Sequence, residues 1–379
     1  DFLNAAEVDR YGCSFPIELH PANLIDRNAP LYQSSWLRRV DPGYWCQEFY
    51  TNYANWHKEP EPDFIEQAIW MAIASGCRGL TFWQYKSERF GEESNGWGMR
   101  EIDGSPTRRS ERCDRIAGVL KELGADFAAS RPARSKAAIW FDLRNDLLMR
   151  IEEMRSELNH IEEIRASTDY SCKQAAAADH TILRRLGVTA DFVVSGDDLS
   201  GCRLLVADAV ELVDEAAAAW LTGFVRDGGT LLIGYPFACR DERTWVTPQR
   251  PARGLPAGEI RNIRWENGAM QAAAGWQVIL DPAEDADVVG RWEDGSPAAV
   301  RHAFGNGQVV TCGGNFAMAF FRQPDRSAIP PACTLAMKLA GLEACDSLLW
   351  RCSRYSESCE YRFLFNAGGF TEAEPGRFE

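Results

Sequence analysis

Apolar residues fall into two rhythms along the chain, short near-continuous runs and longer stretches at helical spacing, and the two alternate from the beginning. Residues 8–16 have the pattern of a short strand running into a loop, 44–50 of a second strand and 79–85 of a third. Between the last two, Asp63 and Glu66 stand at capping-box spacing. Phe64, Ile65, Ala68, Ile69 and Ala72 share one helical face, and Gly76 closes it. A second helix turns Ile116, Val119, Leu120 and Leu123 inward and stops at Gly124. Strand, helix, strand, helix predicts parallel strands in an α/β layer. Three strands with their helices neither close a barrel nor cover both faces of a sheet, so residues 1–131 read as the tail of something larger.

Residues 131–136 form a polar linker, and the pattern restarts with a strand at 137–142. A long helical region rich in Glu and Arg follows, ending at Gly187; its 151–165 part reads as a solvated or intersubunit helix rather than a ligand site. Strands are expected at 191–194 and 203–207. A helix then carries Trp220, Leu221, Phe224 and Val225 on one face, Gly228 and Gly229 end it, and a strand follows at 230–234. This is a doubly wound, flavodoxin-like layout with its own core. Residues 248–267 are rich in Pro, Arg and Gly and read as a long loop. A hairpin at 298–304 and 308–312 turns on Gly305, Asn306 and Gly307, and a last helix covers 332–339. Residues 348–354 and 361–365 alternate like two strands of a new β-domain. The expected organisation is an α/β segment at 1–131, a flavodoxin-like domain at 132–346, and the start of a small β-domain at 347–379.

Composition narrows the function classes. With 379 residues the chain exceeds one typical core of roughly 150 residues. Its 41 Lys and Arg against 55 Asp and Glu, a net charge of −14, argue against a surface built to track phosphates or anionic lipid, so no nucleic acid or membrane partner is expected. The 12 cysteines are scattered singly, without a C-x-x-C pair. They read as reduced, mostly buried residues, which fits a cytoplasmic location.

No glycine-rich phosphate loop follows any strand of the doubly wound part, so no nucleotide cofactor is expected there. The same layout hosts cysteine nucleophiles on strand-to-helix elbows. Cys239 has no glycine beside it, however, and Cys312 has Gly313 and Gly314 after it but Val310 and Thr311 before it, so both read as buried or surface thiols. The five histidines, His20, His57, His160, His180 and His302, lie at no metal-ligand spacing, and no metal is expected. His57, beside Trp56, is kept as a site-rim candidate.

Chemistry concentrates in the first segment. Glu48 lies among Tyr44, Trp45, Phe49 and Tyr50 on a strand, and is either a satisfied structural acid or a catalytic one. Glu48, Asn55, Trp56, Trp83, Glu92 and Glu93 all lie at or after the ends of the second and third strands, where parallel α/β folds place their sites.

At these residues the sequence resembles the β-galactosidases of glycoside hydrolase family 42. Glu48 followed by Asn55 and Trp56 is similar to the family's nucleophile strand and its downstream Asn-Trp. Residues 79–86, then Arg89, Gly91 and Glu93, are similar to the last barrel strand and its loop. The likeness continues through Val193, residues 198–201 and residues 227–231, which look like the family's trimerisation domain.

The resemblance implies the end of a TIM barrel, a flavodoxin-like trimerisation domain and the start of a C-terminal β-domain, in a retaining glycosidase that acts on a β-linked galactoside or related oligosaccharide as a homotrimer. It implies Glu48 as nucleophile, Trp56 and Trp83 as sugar platforms, and Asn55 and Glu93 as substrate-binding residues, with no cofactor. Two departures stand beside it. The family's acid/base glutamate follows an Asn-Glu pair on an earlier strand, and Asn-Glu occurs nowhere in this chain. Where the family has a histidine three residues after the glutamate matched by Glu93, this chain has Gly96. The expectation is a fragment or truncated relative that is inactive alone; the competing class is a non-catalytic assembly or carbohydrate-binding protein.

Overall fold

The computed structural model describes residues 11–15, 24–51, 61–91, 94, 97–153, 172–246, 260–275, 277–323 and 328–367. The chain divides into two compact units, Asp1–Arg134 with Ser347–Glu379, and Ser135–Asp346.

The first unit opens with β1 (Gly12–Phe15), α1 (Leu24–Val40), β2 (Trp45–Tyr50), α2 (Pro62–Ala74), β3 (Gly79–Trp83), α3 (Arg108–Ala129) and the short β4 (Arg131–Pro132). β1, β2 and β3 make a parallel sheet in that order, as the alternation predicts. One face is covered by helices: Cys46 and Phe49 are buried in one cluster with Phe64, Ile65, Ile69 and Ile116, and Leu80 and Phe82 pack against it. The opposite face carries exposed Trp45 and Trp83.

One helix has no counterpart in the sequence pattern, and one expected cap is corrected. α1 has no clear signal in the sequence, because buried Ser34 and Ser35 interrupt its apolar stripe of Leu31 and Leu37 and Pro30 sits inside it. The Asp63 and Glu66 capping box does not form. Pro62 at the first helical position sets the start without a side-chain cap, and the two acids instead pair across to α3, Asp63 with Arg112 at 2.6 Å and Glu66 with Arg115. Gly124, at φ 66° and ψ −156°, leaves helical geometry where the sequence places a stop, and a second helical stretch carries α3 on to Ala129. The true start of α3 is a capping box between Thr107 and Ser110.

The second unit contains β5 (Ala137–Trp140), α4 (Leu143–Glu153), α5 (Cys172–Arg185), β6 (Ala190–Val193), β7 (Leu204–Leu212), α6 (Glu215–Arg226), β8 (Thr230–Arg240), β9 (Ile260–Trp265), β10 (Met270–Ala274), β11 (Asp287–Arg291), β12 (Pro297–Phe304), β13 (Gly307–Cys312), α7 (Phe316–Arg322) and α8 (Pro331–Leu339). Its strands form one sheet, ordered β10-β9-β11-β12-β13-β8-β7-β5-β6. The parallel part, β6-β5-β7-β8-β13, is the 2-1-3-4-5 order of a flavodoxin-like fold. β7 is buried along its whole length, as a central parallel strand covered on both faces must be. Asp214 caps α6 by accepting the Ala217 N–H at 2.8 Å, worth about 1 kcal/mol.

β12, β11, β9 and β10 extend the sheet antiparallel. The stretch 248–267 is therefore not all loop. β9 buries Ile263 and Trp265 on one face with Arg264 between them, while Arg261 falls at the exposed start of that same face, and the arginines hide its period.

β14 (Leu349–Tyr355) and β15 (Glu360–Asn366) pair with each other, and β14 also pairs with β4. These strands, read in the sequence as the opening of a separate β-domain, contribute core to the first unit. Trp350 is fully buried with Leu31, Met71 and Ala74. Among the described residues no helix is long and apolar enough to cross a membrane.

Candidate active site

Glu48 sits on β2, the central strand of the parallel sheet, at a β-bulge. Cys13 pairs with Cys46 and Ser14 with Glu48 on the β1 side, while Cys46 pairs with Leu80 and Phe49 with Phe82 on the β3 side. Gln47 is the extra residue. In a regular strand, neighbours 47 and 48 would point to opposite faces; the bulge keeps Cys46 and Phe49 in the core and releases Glu48 from it, half-buried.

Two hydroxyls fix the carboxylate. Ser14 Oγ donates to Glu48 Oε2 at 2.6 Å, and Tyr50 OH donates to the same oxygen at 3.0 Å. Neither bond falls on Oε1. Tyr50 also packs against Trp97, with ring centroids 4.7 Å apart and planes tilted by 43°, and in the sheet register it pairs with Trp83. The Trp83–Gln84 peptide is cis, and Gln84 N donates to Trp97 O at 3.0 Å while Met99 N donates to Gln84 O at 2.7 Å, which holds the loop after β3 against the strand end. Thr107 Oγ1 and Arg109 donate to Met99 O and Gly98 O, tying this loop to the start of α3.

Close approach sets the opposite end of this face. Gly79 lies against the Trp45 ring, and a Cβ there would stand 2.5 Å from it, so only glycine fits. The result is an open sheet face with a positioned carboxylate and aromatic surfaces at the carboxyl ends of its strands. Such aromatic faces suit the apolar faces of a sugar ring, with polar groups left for its hydroxyls.

The structure thus brings together Glu48 and Trp83 of the five expected residues. Asn55, Trp56 and Glu93 lie outside the described residues, as do His57 and Glu92. Ser14, Tyr50 and Trp97 join the site without having been candidates in the sequence. Ser14 belongs to no motif, and its partnership with Glu48 depends on a register that the bulge shifts by one residue.

The other candidates have bland environments. Cys239 lies within β8, and Cys312, at the end of β13, is fully buried, which pushes its thiol up to about 12. A thiol protonated at neutral pH in a closed core is no nucleophile. His180 is buried and stacked on Phe192, and His302 faces Asp285 at 3.2 Å. None of the 12 cysteines is disulfide-bonded, and no metal-binding cluster occurs among the described residues.

A family model described as the β-galactosidase trimerisation domain matches residues 135–327, more than half of the chain. Among curated relatives, β-galactosidase BgaB of Geobacillus sp. (strain Y412MC61) is 24% identical over 299 residues, covering 73% of this chain and 42% of the relative. β-Galactosidase Bga of Halorubrum lacusprofundi is 26% identical over 340 residues, covering 80% of this chain and 46% of the relative. The chain therefore spans under half the length of these curated relatives. Among solved structures, a catalytic mutant of Gan42B, a GH42 β-galactosidase from G. stearothermophilus, superposes with a TM-score of 0.78 at 18% identity, over 97% of this chain and 55% of that one. That likeness establishes the shared fold.

Proposed function

The chain belongs to the family of the β-galactosidase trimerisation domain, and from that premise we propose that it carries the nucleophile of a retaining β-galactosidase-type glycoside hydrolase. The observation that carries the proposal is Glu48, released from the core by a bulge and held by two hydroxyls through one oxygen. Among the described residues the outer edges of β1 and β3 pair with no further strand, which suits a stretch of a larger closed barrel.

In this chemistry Glu48 Oε1 attacks the anomeric carbon while Ser14 and Tyr50 keep Oε2 in place. A second carboxyl about 5 to 5.5 Å away protonates the departing oxygen and later activates water. Trp83 supplies a ring face to the sugar, with Asn55, Trp56 and Glu93 as further substrate contacts. The acid/base residue is assigned outside these 379 residues, because the Asn-Glu pair that marks it is absent. The substrate is a β-linked galactoside or a related sugar, Gly96 leaving the hydroxyl contact of the family's histidine unfilled. Three copies assemble through the trimerisation domain.

Incubation of the 379-residue chain with an aryl β-galactoside is expected to give turnover close to that of buffer, since general acid help is worth roughly 10² to 10⁴-fold. Rapid turnover that disappears in Glu48→Gln would place a working acid within this chain and overturn the division of labour. Rapid turnover unchanged in Glu48→Gln would remove Glu48 as nucleophile. A coding sequence with Asn-Glu on a preceding strand-like run favours the glycosidase, and one without it favours the non-catalytic assembly protein.

A further inference from the structure

We propose that Trp97 is a positioning residue of this site, holding Tyr50 so that its hydroxyl stays on Glu48, an inference that rests on the nucleophile reading above. Phe49 points into the core, so the period of the strand puts Glu48 and Tyr50 together on the opposite, open face. A tyrosine at the end of a strand on an open face has several staggered positions, and only some of them bring its hydroxyl to the neighbour two residues back. Here one is selected. The hydroxyl donates to Glu48 Oε2 at 3.0 Å while the ring lies against Trp97, with centroids 4.7 Å apart.

The backbone of Trp97 is held in place to present that ring. Its φ is 62°, in the left-handed region that a residue with a bulky side chain enters only where its surroundings keep it there. Among the described residues of the first unit it is the one non-glycine residue at positive φ. Three successive residues carry the hold. Trp97 O accepts the Gln84 N–H at 3.0 Å, Gly98 O accepts from buried Arg109 at 3.1 Å, and Met99 donates its N–H to Gln84 O at 2.7 Å. Gly98 also lies so close to Ser87 that a Cβ would overlap the Ser87 hydroxyl. A residue fixed this firmly, with its ring on the tyrosine that binds the nucleophile, acts as a wall against which Tyr50 keeps one position.

The consequence falls on the carboxylate. When Oε1 bonds to the anomeric carbon, Oε2 becomes the carbonyl oxygen of the ester, and attack is fastest from a carboxylate already turned to the right angle. Ser14, exposed on β1, is one anchor of Oε2. Tyr50 is the second, and Trp97 keeps the second anchor in place.

Two measurements on the whole chain test this. Tetranitromethane nitrates accessible tyrosine rings, and peptide mass spectrometry reads each site. Trp97→Ala is expected to raise nitration at Tyr50 about 10-fold, the weight of one hydrogen bond to a charged group. Tyr44, fully buried in the same unit, should stay unmodified, and Trp97→Phe, which keeps a ring, should behave like the wild type. The second measurement is covalent labelling of Glu48 by a dinitrophenyl 2-deoxy-2-fluoro-β-galactoside. The Glu48 Oε1 to C1 bond forms as the bond from C1 to the dinitrophenolate oxygen breaks, and so acidic a leaving group departs as the anion, without a proton from the acid/base residue. Labelling of the wild type is expected, slowed about 10-fold by Trp97→Ala and restored by Trp97→Phe. Tyr50→Phe should be as slow, and adding Trp97→Ala to it should slow it no further, because both remove the same bond.

Unchanged nitration or labelling in Trp97→Ala would overturn the positioning role, as would a double variant in which the two losses multiply. Nitration of Tyr44 together with Tyr50 would show that Trp97 merely keeps the unit folded and overturn it too. A wild type left unlabelled, with Tyr50 still shielded by Trp97, would instead remove the nucleophile reading and with it the catalytic consequence.

Discussion

Arg354→Ala is expected to cost the first unit about 1.5 to 3 kcal/mol, the range for hydrogen bonds made by a charged group. Arg354 is 1% exposed on β14. Its Nη1 donates to Ile73 O at 2.6 Å, its Nε to Ser130 Oγ at 2.9 Å, and its Nη2 to Ser130 O at 2.7 Å, while the guanidinium lies 4.6 Å over the Phe127 ring. Burial, with Arg78 nearby, lowers its pKa to about 10, still charged at neutral pH. The negative potential that holds it comes from the carboxyl ends of α2 and α3, where Ile73 and Ser130 present carbonyls. Alanine would strip a charged donor from each carbonyl, leaving Ile73 O with the Gly76 N–H and Ser130 O with Arg78, and open a void beside Phe127. Lysine should recover only part of the loss, because one ammonium cannot reproduce the planar fork. Denaturant titration followed by tryptophan fluorescence measures the effect; a change under about 1 kcal/mol would show that water replaces the guanidinium at no cost.

The second unit should lose stability as pH rises from 5 to 9, and an Asp179→Asn/Asp208→Asn double variant should be nearly flat over that window. Asp208 on β7 and Asp179 on α5 are 6% and 2% exposed. Asp208 Oδ2 accepts the Ala317 N–H at 3.1 Å, and its Oδ1 occupies the space that Gly234 leaves by having no Cβ. The Oδ1 atoms of both acids lack hydrogen-bond partners. Burial pushes Asp208 up to about 8, and burial together with the neighbouring Asp208 pushes Asp179 well up. The thiols that feel this pair, Cys172, Cys312 and Cys333, are raised by burial as well and stay neutral through the window.

Proton counting gives the sign. Above about pH 4 the unfolded carboxyls are ionised while the folded pair holds its protons, so the stabilisation is complete below pH 4 and is lost as pH rises through about 8. A tenfold difference in proton affinity between the folded and unfolded chain is worth about 1.4 kcal/mol, which gives Asp208 alone an upper limit of roughly 6 kcal/mol. Acids held low, such as Glu360 at about 2 through Arg362, lose their contribution only on acidification and do not enter this range. Stability that rises from pH 5 to 9, or a double variant with the wild-type slope, would show that the pair is not protonated in the folded state.

Much of the architecture is written in local pattern. Leu204, Leu205 and Val206, or Leu231, Leu232 and Ile233, are continuous apolar runs that only a doubly covered strand accommodates, and Gly228 punctuates the approach to the second. The β9 strand and α1 were not legible, because arginines or buried serines break the periodicity that tertiary packing tolerates once a backbone partner is supplied. Asp63 and Glu66 had the spacing of a cap, yet Glu61 O already accepts the Phe64 and Ile65 N–H groups, and the two acids pair with Arg112 and Arg115 instead.

The site divides in the same way. By itself the sequence determined that an acid stands among aromatics on a strand, that Trp83 ends the next strand, and that a flavodoxin-like domain follows, since all three are properties of contiguous residues. Only the tertiary structure decided that Glu48 leaves the core, that Ser14 and Tyr50 bind it, and that α4 turns its leucines outward. The release of Glu48 and its bond to Ser14 depend on register across 34 residues, and the outward turn of α4 depends on buried Asn145 taking the inward position against Leu212; neither is encoded at short range.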